Sequence, residues 1–381
     1  MQKIGLLSLD SHNFNYGGML QEYALQFAIE AQGNYCEVID YRHNTELRTF
    51  SPRRNIRYLT WEKVYGKLAQ LRQNRGKKKQ IEDLIIRRKV KFNEFCNTYI
   101  KFSKVCKHDE LKEVVQGYDS VVCGSDQIWN PAFNRPSFFL DFVPDTIGKV
   151  IYAASIARDT LTKSESKVYQ EYIKPLEWIS VRESGAVELL RQIAGEKEIR
   201  LVLDPSLLLT PVHWKNVAGE GRLINDKYLF CYFLGIDEEK RKAAQRFASG
   251  NGMRLISLPY LLGKYNVWDE GFSEAVIDAG PVEFLNLILH AECVLTDSFH
   301  ASVFSILFQK KFRVFGRKFG KGDMNTRLHT LLSYIGHNEY LIHPEQLEEC
   351  TINDKTDWSL NRIEECRKES LEWLTRALTK G

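Results

Sequence analysis

The chain alternates short apolar segments with amphipathic ones, and this alternation constrains its fold more than any other feature. Residues 3–9 (KIGLLSL) predict a strand, residues 19–31 (MLQEYALQFAIEA) carry apolar side chains at helical spacing, and residues 34–41 (NYCEVIDY) predict another strand. A strand–helix–strand unit pairs its strands in parallel, because the helix carries the chain back along the sheet. The start of the chain therefore predicts a parallel α/β sheet.

The same alternation continues along the rest of the chain. Further strands are predicted at residues 118–125, 149–156, 178–183, 199–205, 227–235, 253–259, 292–300 and 310–316. Further helices are predicted at residues 168–176, 183–194, 237–249, 281–291, 301–309, 327–336 and 360–378. Residues 61–98 predict two helices interrupted near Gly76.

The length of 381 residues predicts two domains, because one hydrophobic core rarely serves so long a chain. Residues 203–214 contain two prolines and little periodicity, so we place the crossover there. The predicted fold class is α/β, with two doubly wound, Rossmann-like domains facing each other across a cleft. We expect an N-terminal domain at 1–205, a C-terminal domain at 206–358, and a helix at 359–381 that could pack back on the N-terminal domain.

Composition limits the compartment and the partners. The eight cysteines form no C-x-x-C pair, and no stretch approaches the roughly 20 apolar residues of a membrane-spanning helix. The start, MQKIGLLSLD, does not have the form of a signal peptide. We therefore expect a cytoplasmic protein with reduced cysteines, and the net charge of +4 does not indicate a nucleic-acid partner.

Positive charge is concentrated between Lys67 and Lys104, where twelve Lys or Arg residues accompany three acidic ones. Such a run usually forms a solvated helical face. It could instead attract an anionic membrane surface or an anionic carrier on the substrate, which would place the protein peripherally at the inner face of the membrane.

Polar and aromatic residues follow the predicted strands, where a doubly wound sheet binds its ligands. In the first such loop, residues 10–18 (DSHNFNYGG), Gly17 and Gly18 allow close backbone approach, and Asn15 precedes them. Free N–H groups at the following helix start would suit an anion or sugar oxygens, although a Gly-Gly pair is more often a turn.

The second loop, GSDQIWNP, is denser in polar groups. Asp126 could hydrogen-bond a ligand hydroxyl or accept its proton, and Trp129 could stack on a sugar ring. Ser125, Gln127 and Asn130 could add directional hydrogen bonds. The alternative is a capped turn, but the density of polar residues favours a binding site.

The third and fourth loops offer charged groups. Arg182, in ISVRESGA, could bind a carboxylate or phosphate through two parallel hydrogen bonds, or could form an ion pair with Glu183 or another carboxylate. His300, in VLTDSFHAS, suits proton transfer near neutral pH, although Asp297 or Ser298 could simply cap a helix there.

Downstream, residues 316–327 (GRKFGKGDMNTR) have the composition of an anion-binding lid, although a solvated loop is the commoner identity of such a segment. Its cations include Arg317, Lys318 and Arg327. Metal-binding motifs such as H-E-x-x-H and D-x-D do not occur in the sequence, so we expect neither a metal site nor a cofactor.

Several of these segments together resemble the polysaccharide pyruvyl transferase family. The resemblance covers most of the chain. It rests on the segments NYGGMLQEYALQ, GSDQIWNP, SVRE, LDPSLLL, TDSFHASVFSILF and NTRLHTLL. It implies a GT-B-like architecture, with the domain at 1–205 on the acceptor side and the domain at 206–358 on the donor side. It also implies transfer of a pyruvyl group from phosphoenolpyruvate to two hydroxyls of a sugar residue, forming a cyclic ketal in cell-surface, capsular or exopolysaccharide biosynthesis. The acceptor would be a lipid-linked oligosaccharide.

The resemblance assigns Arg182 and His300 to the donor pocket. Better-known members carry a basic residue two positions before this histidine, where the present chain has Ser298. Arg327, Arg317 and Lys318 are therefore candidates for the missing charge. The loop of Asn15, Gly17 and Gly18 and the cluster at Asp126 resemble the acceptor side, with His300 the expected proton-transfer residue and Asp126 an acceptor ligand or base.

Two other functions stay open on the sequence. A GT-B-like glycosyltransferase that uses a nucleotide-sugar would share the fold, since one fold serves many reactions. A non-catalytic saccharide-binding relative is the other, and Ser298 in place of a basic residue is the feature that favours it.

Overall fold

The structure, a computed structural model, describes residues 1–9, 14–42, 75–133, 135–235, 237–260, 271–319, 322–323, 325–349, 356 and 358–380. Its strands are β1 (Lys3–Leu7), β2 (Tyr35–Val38), β3 (Ser120–Cys123), β4 (Gly148–Ala154), β5 (Trp178–Val181), β6 (Ile199–Leu201), β7 (Tyr228–Tyr232), β8 (Arg254–Ser257), β9 (Glu274–Ala275), β10 (Cys293–Thr296), β11 (Lys311–Phe315), β12 (Lys318–Phe319), β13 (Gly322–Asp323) and β14 (Leu341–Ile342). Its α-helices are α1 (Tyr16–Ala31), α2 (Arg75–Tyr99), α3 (Leu111–Val114), α4 (Lys163–Ile173), α5 (Ser184–Ala194), α6 (Pro211–Ala218), α7 (Glu238–Gly250), α8 (Pro281–His290), α9 (Phe299–Leu307), α10 (Thr326–Ser333) and α11 (Asn361–Lys380).

Two parallel sheets organise the described part of the chain, one on each side of the predicted crossover. The first has the order β2-β1-β3-β4-β5-β6 and the second the order β14-β11-β10-β7-β8-β9. Central strands such as SVVC (β3), YLFCY (β7) and CVLT (β10) are buried at every position, because helices cover both faces of each sheet. The predicted α/β fold class is confirmed.

Each sheet reverses its winding direction once, and the position of each reversal predicts which loops bind a ligand. The first sheet reverses between β1 and β3, and the second between β7 and β10. Ligands of doubly wound sheets bind outside the carboxyl ends of the strands at such a reversal. The loops that follow β1, β3 and β10 are therefore the expected lining of a site.

The two halves share an apolar core. Tyr16 of α1 stacks on Phe284 of α8 with ring centroids 4.8 Å apart, and its hydroxyl donates to the carbonyl of Ala279 at 2.7 Å. The last helix, α11, returns to the first sheet, where Trp373 packs 6.2 Å from the ring of Tyr152. The Leu203 amide also donates to Ser370 Oγ of α11 at 3.0 Å. These contacts hold the two sheets in a defined relation.

Several predicted boundaries are wrong by two or three residues, and capping explains two of them. Helix α1 begins at Tyr16 and not at residue 19, because the Asn15 side chain accepts the amide of Gly18 at 3.2 Å. Helix α9 begins at Phe299 and not at residue 301, since Ser298 is its N-cap. Gly76 lies inside α2, and the part of the predicted helix pair before Arg75 is outside the described residues.

Candidate active site

Charged side chains from separate strand ends meet in the cleft. Arg182 directly follows β5, Asp126 follows β3, Asp204 follows β6, and His300 follows β10 of the second sheet. All four are buried. Because the strands of each sheet are parallel, their carboxyl ends lie along one edge, and the crossover turns the two edges toward each other. The predicted convergence of Asp126, Arg182 and His300 is present.

Arg182 organises the carboxylates of this cluster. Its Nη1 donates to Asp204 Oδ2 at 2.6 Å and its Nη2 to Asp126 Oδ1 at 2.7 Å, while its Nε lies 3.9 Å from Glu183 Oε2. Burial alone would lower the pKa of Arg182, but these carboxylates raise it. Of the two roles predicted for Arg182, the structure shows the ion pair, so its terminal nitrogens already have carboxylate partners.

The partner carboxylates are held in their charged form. Burial would raise the pKa of Asp126, but the charges of Arg182, His300 and Arg327 outweigh it and lower that pKa. The pKa of Asp204 is likewise lowered, because contacts with His300 and Arg182 outweigh its burial. Both carboxylates are therefore ionised at neutral pH.

Asp126 also has an unusual backbone conformation. Its φ of 62° and ψ of −161° fall in a region that is otherwise occupied almost only by glycine. Such a conformation costs about 1–3 kcal/mol and persists only where surrounding contacts enforce it. The ion pair with Arg182 supplies one such contact, and strain of this kind is typical of functional sites.

His300 enters the site from the C-terminal half. Its Nε2 lies 3.7 Å from Asp204 Oδ2, which is within ion-pair reach but too long for a hydrogen bond. Its other nitrogen packs against the start of α1, where a Cβ on Gly17 would come within 2.1 Å of Nδ1. Gly17 is thus required for this close approach, while Gly18 has room for a side chain.

Arg327 is the cation that lacks a carboxylate. It is 5% exposed, and no described carboxylate lies within ion-pair distance of it. Burial and repulsion by Arg182 and Arg317 lower its pKa to about 10, so the guanidinium remains charged at neutral pH. Arg317 lies nearby, with its amide donating to Asn325 Oδ1 at 2.9 Å. The side chain of Lys318 is outside the described part of the structure.

Unsatisfied polar atoms concentrate in the same place. Of twelve buried side-chain nitrogen and oxygen atoms without a hydrogen-bond partner in the described part of the chain, four belong to this cluster: Arg182 Nε, Glu183 Oε2, His300 Nε2 and Arg327 Nε. Buried polar atoms are almost always partnered in folded proteins. Three of the four are nitrogens, one on Arg327 itself and two on Arg182 and His300, and such a group of unpartnered nitrogens indicates a place for an anion that supplies the partners.

Trp129 is buried in the N-terminal half and, contrary to the sequence prediction, does not present its ring to a sugar. The ring is fully buried, its Nε1 donates to the Phe138 carbonyl at 3.0 Å, and it stacks on Phe139 at 5.1 Å. A sugar cannot reach either face of a ring packed in this way. The expectation of sugar stacking is therefore corrected, and Trp129 anchors the loop of Asp126 from inside the domain.

The other polar residues of that loop, and Ser298, are engaged locally. Ser125 Oγ donates to the Ala153 carbonyl at 2.6 Å, and Asn130 Nδ2 donates to Gln127 Oε1 at 2.7 Å. Ser298 caps α9, as the alternative to a binding role proposed. The expectation that Ser125 presents a free hydroxyl to a ligand is corrected, since it is buried and its hydroxyl donates to the chain, whereas Ser298 as a donor-binding residue stays a prediction.

Sequence reasoning missed Asp204 and Tyr260, and it named Glu183 only as a possible ion-pair partner of Arg182. Asp204 and Glu183 follow strands, so the rule that selected Asp126 and Arg182 would also have found them. Glu183 Oε1 accepts the amides of residues 156 and 157, both at 2.8 Å. Tyr260 follows β8, and its pKa is raised by burial to about 12. No local pattern distinguishes Tyr260, because its position depends on the meeting of the two halves.

Several cations of the basic segment 67–104 form contacts within the protein. Arg88 is buried and donates to the carbonyls of Phe14 at 2.9 Å and Pro259 at 3.5 Å, which joins the two halves beside the cleft. Lys91 pairs with Asp278 and Glu283, and Lys101 with Glu30. The remaining exposed cations with described side chains are Lys79, Arg87, Lys89 and Lys104, beside the exposed acids Glu82, Asp83 and Glu94.

Comparison with known proteins agrees with the resemblance found in the sequence. The family model described as Polysaccharide pyruvyl transferase matches residues 15–318, a span that starts at Asn15 and contains Asp126, Arg182 and His300. Arg327 lies beyond the matched span. The search of curated proteins returned no match. None of the described helices is long and apolar enough to cross a membrane.

Solved structures with a similar fold include two epimerases. The UDP-GlcNAc 2-epimerase from Methanocaldococcus jannaschii matches with 15% identity and a TM-score of 0.56, covering 100% of each chain. The UDP-N-acetylglucosamine 2-epimerase from Rickettsia bellii matches with 9% identity and a TM-score of 0.52, covering 100% of this chain and 98% of that one. At these identities the similarity concerns the fold alone, and it confirms the expected GT-B-like arrangement.

Proposed function

The chain belongs to the polysaccharide pyruvyl transferase family, and from this premise we propose that it transfers the pyruvyl group of phosphoenolpyruvate to two hydroxyls of a sugar residue. The product is a cyclic ketal on a cell-surface or capsular polysaccharide precursor, and phosphate is released. The observation that carries the proposal is Arg327, a buried guanidinium with no ion-pair partner in the described residues, in one cluster with the unsatisfied nitrogens of Arg182 and His300. Phosphoenolpyruvate brings a phosphate and a carboxylate, which are the groups that such a cation binds.

Among the candidates for the charge missing at Ser298, Arg327 is the one we propose. It is buried beside Arg182, whereas Arg317 is half-exposed. Its planar guanidinium can bind a phosphate or carboxylate through two parallel hydrogen bonds. Arg317 would add positive potential. Arg182 then acts mainly through the carboxylates that it holds, with its unpartnered Nε available to the donor.

The reaction needs a proton at the donor's methylene carbon and removal of a proton from each acceptor hydroxyl. One hydroxyl oxygen bonds to the central carbon as the methylene becomes a methyl group. The second hydroxyl oxygen bonds to the same carbon as the carbon–oxygen bond to phosphate breaks, so one hydroxyl proton ends on the new methyl group and the other on the released phosphate. We assign proton transfer to His300, because the lowered pKa of Asp126 makes that carboxylate a poor base at neutral pH. Asp126 would instead hold a hydroxyl and stabilise positive charge at the central carbon.

A turnover assay tests the proposal. The protein should release phosphate from phosphoenolpyruvate in the presence of a galactoside acceptor, and release no nucleotide from UDP-sugars. In Arg327→Met the donor KM should rise about 100-fold, which corresponds to the loss of a charge-assisted interaction of about 2–3 kcal/mol. Nucleotide release without phosphate release would favour a GT-B-like glycosyltransferase, and binding of saccharide without any turnover would favour a non-catalytic relative.

His300→Gln separates binding from chemistry. The variant should still bind phosphoenolpyruvate in a thermal-shift titration, because Arg327 remains and the glutamine amide can donate in place of Nε2, while kcat falls at least about 100-fold, as expected for the loss of a general acid–base group. Full activity in the variant would remove His300 from the reaction. The proposed chemistry uses no metal or cofactor, so activity should persist in EDTA, and restoration by an added metal ion would contradict this.

We also propose a lipid-linked oligosaccharide acceptor, and peripheral association with the anionic inner face of the membrane. Support comes from the charge of segment 67–104, of which the four exposed cations with described side chains are a minor part. Reversal of the charge of Lys79, Arg87, Lys89 and Lys104 should weaken sedimentation with vesicles that contain anionic lipid. Unchanged sedimentation of this variant would assign the segment to an ordinary solvated surface.

A further inference from the structure

One aromatic ring lies against both arginines of the candidate site. The Cζ atom of Arg182 is 4.6 Å from the centroid of Phe299, and the Cζ atom of Arg327 is 5.8 Å from it. Phe299 is 4% exposed and is the first residue of α9, directly before His300. Its ring also meets the His300 ring at a centroid distance of 5.2 Å and an angle of 90°. Phe299 therefore contacts three of the groups that the proposed reaction uses.

Two buried like charges need something that keeps them together. Arg182 gains attraction from its carboxylates, but Arg327 is repelled by Arg182 and Arg317 and has been removed from water. The face of an aromatic ring is negative and attracts a cation, by about 0.5–1 kcal/mol at exposed sites and about 2 kcal/mol or more where water is excluded. Asp126 and Glu183 attract Arg327 as well as Arg182, but neither forms an ion pair with Arg327, whereas the ring of Phe299 lies against both guanidinium groups.

We propose that Phe299 is a positioning residue, whose ring face holds Arg327 beside Arg182 in the orientation that receives the donor anion. The identity of that anion rests on the proposed function. The inference is specific to this chain, because the cation that replaces a basic residue at Ser298 comes from a different helix, α10. Phe299 is the residue of α9 whose ring lies against this cation.

The simpler role for a buried phenylalanine is to fill space, and a series of fluorinated phenylalanines separates the two roles. Fluorine substitution keeps the ring nearly the same size while it weakens the negative potential of the ring face. Mono-, tri- and pentafluorophenylalanine at position 299 should raise the KM for phosphoenolpyruvate in steps, to about tenfold for the last, with kcat unchanged. Phe230 of β7 provides the matched control, since it is buried and no described guanidinium lies over its ring.

A flat series at position 299, or an equal rise in the Phe230 series, would overturn the proposal and leave Phe299 as core packing. A second measurement needs no ligand. In a double-mutant cycle of Phe299→Leu and Arg327→Met, followed by urea unfolding, the two changes should be coupled by about tenfold in the unfolding equilibrium constant. Additive effects would overturn the positioning role.

These two measurements distinguish this inference from the proposed function. If the wild-type protein releases no phosphate from phosphoenolpyruvate, the proposed function falls, while the unfolding cycle still decides whether Phe299 and Arg327 interact. If wild-type turnover is normal and both the fluorination series and the cycle are flat, the proposed function stands and the role of Phe299 falls.

Discussion

Arg182 and Arg327 lie against the same phenylalanine ring, yet their surroundings differ in charge. Arg182 contacts Asp126, Asp204 and Glu183, which raise its pKa against the effect of burial. Arg327 has no described carboxylate within ion-pair distance, and burial together with repulsion lowers its pKa. One cation is thus part of the framework of the site, and the other is left with charge for a ligand.

The difference shows that burial alone does not identify a binding residue. Both arginines are almost fully buried, and both carry an Nε without a hydrogen-bond partner. An uncompensated buried charge costs several kcal/mol, so a protein retains one only where something else compensates for it. For Arg327 that compensation is the donor anion in our proposal, with the ring of Phe299 holding the guanidinium until the anion arrives.

The difference between Arg182 and Arg327 is tested most directly by measuring the free energy of unfolding without ligand. Arg182→Met should lower the free energy of unfolding by about 3–5 kcal/mol, because three carboxylates stay buried without their counter-charge. Arg327→Met should leave this free energy unchanged or raise it by about 1 kcal/mol, since it removes an unbalanced buried charge. Urea unfolding of the wild type and both variants measures the two effects. Equal losses in the two variants would show that both arginines belong to the framework.

The next largest effect concerns the contact between His300 and α1. Gly17→Ala would place a Cβ 2.1 Å from His300 Nδ1, so the imidazole must move away from the site. We expect kcat to fall about 100-fold, as for the loss of a general acid–base group. Urea unfolding of Gly17→Ala and Gly18→Ala shows how far the substitution itself changes stability. Gly18→Ala is the matched control, because its Cβ would meet Asn15 at an ordinary 3.7 Å. A normal kcat in Gly17→Ala would mean that His300 is not positioned by this contact.

A smaller effect is expected where the helix of Arg327 rests on the N-terminal half. A Cβ on Gly185 would lie 2.3 Å from Thr326 Cγ2, so Gly185→Ala should push α10 away from α5 at a cost of about 1–3 kcal/mol. Because Arg327 follows Thr326, the donor KM should rise. Adding Thr326→Ser removes the clashing methyl group and keeps the hydroxyl, and it should restore most of the KM. An unrestored KM would place the cause elsewhere.

The sequence predicts the fold and much of the site, because both depend on local patterns. Strand and helix periodicity yields two parallel sheets, and the rule that ligands bind past strand ends selects Asp126, Arg182 and His300. Whether an arginine there is paired depends on Asp204, whose place beside it is set by tertiary packing. Trp129 shows the opposite error, in which the sequence selects a residue that lies outside the site. A run of polar and aromatic residues does not reveal which of its side chains faces inward.

The same limit explains Arg327. Its local sequence, GRKFGKGDMNTR, contains several cations of similar appearance. Arg327 differs from Arg317 because α10 docks on α5, where Thr330 Oγ1 accepts the amide of Ser184 at 3.1 Å. That contact joins residues 146 positions apart in the chain. Pairing over such a separation leaves no trace in a local pattern, so a single sequence cannot rank these cations.

The smallest predicted effect is a pH dependence that also distinguishes the two arginines. The pKa values of Asp126 and Asp204 are lowered in the folded protein, so their contribution to stability is fully present above the ordinary carboxyl pKa of about 4 and is lost as pH falls below it. In Arg182→Met the same carboxylates are buried without the Arg182 cation. Their protonation should therefore raise the free energy of unfolding of this variant instead of lowering it.

The stability difference between the wild type and Arg182→Met should therefore shrink, by at least about 1 kcal/mol, when urea unfolding is repeated at about pH 4 in place of about pH 7. The difference between the wild type and Arg327→Met should change little over this interval, because a guanidinium whose pKa is about 10 does not titrate there. Parallel pH profiles for all three proteins would mean that the carboxylates respond to Arg182 and Arg327 alike. That result would remove the distinction between a framework cation and a ligand-binding one.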